Sequence, residues 1–140
     1  MPAWLPYALL SALFAALTAV FAKIGVKNVD SDLATAVRTT VILLLAWGIA
    51  LARGTAAGLP ALSGRSWVFL VLSGLATGAS WLCYFRALQL GPVSRVAPVD
   101  KLSVALALVL AVLVLGEPLS WRAALGAGLI VAGSVVLIGA

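Results

Sequence analysis

A chain of 140 residues that is 64% hydrophobic and only 9% charged, with mean hydropathy +1.22, excludes a water-soluble domain. A soluble fold of this size carries roughly a quarter charged residues on its surface. The net charge of +5 does not point to nucleic acid, because the basic residues stand singly at the ends of apolar runs, a pattern that fits lipid headgroups.

The first apolar run covers residues 5–22. No Lys or Arg precedes it, and Lys23 and Lys27 follow it, so it does not read as a signal peptide and is expected to stay as a span. Further runs cover residues 33–52, 67–85, 96–115 and 121–138. Each is about long enough to cross a bilayer and too long for a barrel strand, so all are expected to be helices. Asp30, Ser31 and Asp32 can cap the start of the second helix. Residues 53–66, rich in Gly, Ala, Ser and Pro, read as a surface loop. Leu90-Gly91-Pro92-Val93 is a helix stop, and Gly116-Glu117-Pro118 is short enough to force an antiparallel hairpin. Residues 1–140 therefore read as one transmembrane domain.

An odd number of spans puts the termini on opposite sides. Lys23, Lys27, Arg86 and Arg95 share one side, which Arg38 and Lys101 can reach by snorkelling, and Arg53, Arg65 and Arg122 share the other. The first side is richer, which favours a C-terminus inside, but the bias is small enough to permit insertion both ways. Small residues recur at packing intervals at Ala124, Gly128 and Ala132 and at Ser103, Ala107 and Ala111. They suit either a dimer seam or ordinary packing within one subunit.

Few side chains can carry chemistry. There is no histidine, Cys83 stands alone, and Asp30, Asp32, Asp100 and Glu117 have no ligand spacing. No nucleophile–base pair, carboxylate pair or phosphate-cradling loop appears, so neither an enzyme nor a cofactor nor a metal is expected. Arg38 is the sharpest feature, more than one turn into the second span, where a cation is costly. Asp100 and Lys101, just after Pro98, open the fourth span from the same side, so the three charges can meet. Two cations against one carboxylate favour an anionic or zwitterionic substrate. On the third span Ser73, Thr77, Ser80 and Tyr84 share a helical face beside Trp81. Tyr84 and Trp81 are the candidates for pocket walls; for Ser73, Thr77 and Ser80, back-bonding to their own helix is the favoured reading. Glu117 reads as a hairpin residue, and Trp47 as packing or pocket wall.

The run Tyr84-Phe85-Arg86-Ala87-Leu88-Gln89-Leu90-Gly91-Pro92-Val93-Ser94-Arg95-Val96-Ala97-Pro98, followed by an apolar helix ending Leu115-Gly116-Glu117-Pro118, resembles the EamA domain of the drug/metabolite transporter superfamily. The Gly- and Ala-rich last helix fits too, and the match covers nearly the whole chain. The resemblance implies secondary transport or export of small metabolites. Members of that superfamily typically carry two such repeats in opposite orientation, and this chain has one. The implied fold is all-α and integral to the membrane, with five transmembrane helices forming one half of an inverted-repeat transporter. Two oppositely inserted copies, an antiparallel homodimer, would rebuild the whole. Small multidrug exporters of the superfamily use a membrane-embedded Glu in their first helix. The first span here has no acid, so proton-coupled cation export is not implied. The expected function is alternating-access transport of a small polar metabolite across the cytoplasmic membrane by a dimer. Its substrate site would use Arg38, Lys101, Asp100, Tyr84 and Trp81. The alternatives are a passive pore and a non-transporting partner subunit of a membrane complex.

Overall fold

The computed structural model describes residues 2–139. Its elements are α1 (Leu5–Gly25), α2 (Ser31–Ala52), α3 (Gly64–Leu90), α4 (Val93–Asp100), α5 (Leu102–Leu115) and α6 (Trp121–Gly139). A short 3-10 turn at Thr55–Ala61 lies between α2 and α3. Five stretches are long and apolar enough to cross a membrane: α1, α2, α3, the α4–α5 pair at Val93–Leu115, and α6. The protein is an all-α, multi-pass membrane protein.

The helices outrun the apolar segments because end groups, not hydropathy, decide where a helix stops. Asp30 starts α2 at Ser31: its Oδ1 accepts from the backbone N–H of Asp32 at 2.9 Å and of Leu33 at 3.2 Å. Ser63 does the same for α3, accepting from Ser66 at 3.1 Å. Gly116 ends α5 at φ +68°, a left-handed conformation that L side chains resist, and the next N–H, of Glu117, reaches back to the Ala111 carbonyl at 3.2 Å.

The fourth span is not the single helix expected over residues 96–115. It begins at Val93 and breaks at Lys101. Pro98 has no N–H to give the preceding turn, and its ring crowds the carbonyl of Ser94. The backbone tightens just beyond it: the Lys101 N–H bonds the Pro98 carbonyl at 3.1 Å, and the Val104 N–H bonds that of Lys101 at 3.0 Å. These three-residue spacings are a local 3-10 turn inside a span.

The chain forms two compact units, one of residues 22–89 and one of the residues up to Phe21 with those from Leu90 onward. In the second, α6 packs on both α4 and α5. The buried hydroxyl of Ser134 on α6 is shared between the carbonyls of Ile130, at 2.8 Å, and Pro98, at 2.9 Å. A second donor thus reaches the carbonyl next to the break.

In the unit of residues 22–89 the buried side chains gather at one end: Ala22, Val26, Ser31, Thr35, Phe85 and Leu88. Elsewhere its helices present large apolar side chains outward, such as Leu44 at 68% exposed and Leu75 at 66%, as a lipid environment requires. The α1–α2 turn is sharp, with Asn28 left-handed at φ +63°. It is pinned from α3: the Gln89 amide donates to the carbonyls of Val29 and, at 3.4 Å, Val26. Arg86 orients that amide by donating to Gln89 Oε1 at 3.0 Å, and the Lys23 ammonium donates to the Leu88 carbonyl. Gln89→Ala removes its bonds to Val26, Val29 and Arg86 at once and is expected to cost about 1–3 kcal/mol, read as a lowered Tm of the purified protein.

Candidate substrate site

Arg38 lies about 10 Å beyond the start of α2, at 1.5 Å per residue from Ser31. Its half-buried side chain lies over α3, with the guanidinium carbon 4.2 Å from the Trp81 ring centre and 5.3 Å from that of Phe85. Trp81 and Phe85 are one helical turn apart and share a face. Tyr84, half-buried, sits between them in the chain.

A guanidinium stacked on aromatic rings uses its face and leaves its in-plane N–H fork for a carboxylate or phosphate. Among the described residues of its own unit, no acid lies within ion-pair distance of Arg38. Thr35 and Thr39, on the same side of α2, turn their hydroxyls back to their own helix, onto the carbonyls of Ser31 at 2.8 Å and Thr35 at 2.7 Å. The fork of Arg38 therefore lies inside a span with a platform beneath it and no acid of its unit to neutralise it.

Asp100 and Lys101 belong to the other unit, at the α4–α5 break. Lys101 Nζ is 3.2 Å from Asp100 Oδ2, and both side chains are well exposed, at 54% and 36% respectively. The carboxylate expected to pair with Arg38 and Lys101 is paired with Lys101, its neighbour in the chain. Such an exposed pair contributes little to stability and is readily exchanged for another partner.

The polar stripe on α3 divides. Thr77 donates to the Ser73 carbonyl at 2.8 Å, which is back-bonding, whereas Trp81 stands under Arg38. Among the described residues no set of His, Cys, Asp and Glu could hold a metal ion. Three side chains near these features escaped sequence reasoning. Phe85 carries a signal, its spacing of four from Trp81. Ser134 carries one as well, being the lone hydroxyl within α6. Thr35 carries none beyond its spacing from Arg38.

The chain thus has five segments long and apolar enough to cross a membrane, with a guanidinium held within one of them. A model of the EamA-like transporter family matches residues 2–139, and the chain belongs to that family. It is similar to a protein of Sinorhizobium sp. described as an uncharacterized transporter in cobO 3'region, 54% identical over 134 residues that cover 96% of this chain and 95% of the relative. No solved structure matches the chain.

Proposed function

We propose that this protein is a secondary transporter of the cytoplasmic membrane that moves a small anionic or zwitterionic metabolite by alternating access, acting as a dimer. The observation that carries this reading is Arg38, a guanidinium within a span, stacked on Trp81 and Phe85, with no acid of its own unit in ion-pair reach. Holding an uncompensated cation there costs stability, and an anionic substrate recovers that cost only while it is bound. Trp81 and Tyr84 form the wall against which the substrate lies. Lys101 is the second cation for its charge, and Asp100 holds Lys101 while no substrate is bound. The 3-10 break beside them is the kind of discontinuity that transporters place next to substrate. Residues 1–140 act as a single domain, one half of an inverted repeat, with a second, antiparallel copy supplying the other half.

The test is counterflow in proteoliposomes containing the purified full chain. Unlabelled small carboxylates and amino acids are loaded inside, and labelled ones are offered outside. Saturable uptake accelerated by internal substrate is the expected result. Conductance without exchange would replace this reading with a passive pore. Neither signal, with a second membrane protein co-purifying, would replace it with a partner subunit.

A further inference from the structure

The end of the unit of residues 22–89 that carries its core also carries an open cleft of about 690 Å³ between the last turn of α1, the α1–α2 turn and the end of α3. Its lining carries the cations Lys23 and Lys27 and no acid. The acceptors near it are already used: the Leu88 carbonyl takes the Lys23 ammonium, and the Val26 and Val29 carbonyls take the Gln89 amide. What remains on the lining to interact outward is the Lys27 ammonium, a donor, and the Asn28 amide, whose NH2 donates beside its own acceptor oxygen. Among the described residues Lys27 has no ion pair. The nearby carboxylate of Asp30 is engaged in capping α2 and does not line the cleft.

The other half of the cleft is apolar. Val26 and Leu88, 3% and 0% exposed, lie beneath it, and Ile24, 69% exposed on the last turn of α1, is the apolar side chain it offers outward. A cation and an amide at the end of a span, beside an exposed apolar side chain, fit a ligand with an anionic head and an alkyl tail. A soluble anion would use the donors and leave Ile24 uncovered.

We propose that this cleft binds the phosphate of an anionic phospholipid, with Lys27 and Asn28 on the headgroup and one acyl chain along Ile24. The site is separate from that of Arg38 and does not depend on transport. Because Lys27 makes no side-chain bond within the unit, replacing it leaves the pinned turn intact.

The experiment measures retention of phosphatidylglycerol and phosphatidylcholine on the full chain in detergent by native mass spectrometry. Phosphatidylglycerol is expected to bind more tightly than phosphatidylcholine. Lys27→Ala should weaken phosphatidylglycerol binding roughly fivefold, and Lys27→Arg should keep it. Arg122→Ala, which lowers the net charge equally at the start of α6, should bind as the original chain does. Equal retention of the two lipids overturns the proposal. So does an unchanged affinity in Lys27→Ala, or the same loss in Arg122→Ala, which would mean bulk charge attraction. In a second arm glycerol 3-phosphate competes in millimolar excess. Failure to displace the lipid supports a site that needs the acyl chain, and displacement would overturn the lipid in favour of a soluble phosphate ester. Matching Tm values across the variants separate lost binding from lost fold.

Discussion

Arg38→Ala is expected to lower transport, read as kcat/KM in proteoliposomes, by roughly 10- to 100-fold, the worth of one charge-assisted hydrogen-bonded anchor. The same variant should have an unchanged or higher Tm. Both halves follow from where the side chain sits. Mid-span, a cation costs about 2.5–3.5 kcal/mol on insertion scales, and less towards an end. Stacking on Trp81 and Phe85 returns roughly 1–2 kcal/mol of that. Removing the guanidinium therefore sacrifices a ring contact but relieves an uncompensated charge, and the two nearly cancel. If Arg38 only braced α2 against α3, the result would be reversed, with transport kept and Tm lowered. Arg38→Lys separates charge from shape. It keeps the cation but loses the planar fork that stacks on indole, and should fall between the two, with a raised KM.

The spans were legible because hydrocarbon tolerates little else: composition and run length alone locate five crossing segments. Helix ends were legible where a side chain caps, as Asp30 does, or where Gly91 and Pro92 stop the ladder after Leu90, and invisible where interfacial residues merely continue it, as at the end of α1, which runs on to Gly25. The break in the fourth span shows the boundary between local and tertiary information. Pro98 announces a disturbance, but the partner for its carbonyl is Ser134, 36 residues further on, which no local pattern connects to it. Arg38 stood out by depth, whereas its neighbours depended on how α2 meets α3. The charge pattern suggested Asp100 and Lys101 beside it, and within its own unit its neighbours are the rings of Trp81 and Phe85. Gln89, the chain's only glutamine, passed unnoticed because the carbonyls that it serves are gathered by a left-handed Asn28.

Reporters fused to the C-terminus, one working only inside the cell and one only outside, are both expected to give signal. The loops that would set orientation differ by a single charge: Lys23, Lys27, Arg86 and Arg95 against Arg53, Arg65 and Arg122. Shifting that balance should therefore act strongly. Arg53→Ser with Arg122→Ser removes two charges from the poorer side and should silence the outside reporter. Ala57→Lys, Gly58→Lys and Ala61→Lys, at exposed positions of the 3-10 turn with open space beside Gly58, combined with Lys27→Ser, turn four against three into three against six and should silence the inside one. Neither set of positions touches Arg38, its rings or the Asp100–Lys101 pair, so each variant keeps the proposed substrate groups. If the transporting form is an antiparallel dimer, each locked variant alone should fall to background transport, and expressing the two together should restore it. Two copies that cannot flip can still complete an inverted pair, whereas copies locked one way cannot. Full transport by either locked variant on its own would mean that one orientation suffices, and the antiparallel assembly would have to be given up while the assignment of Arg38 stood.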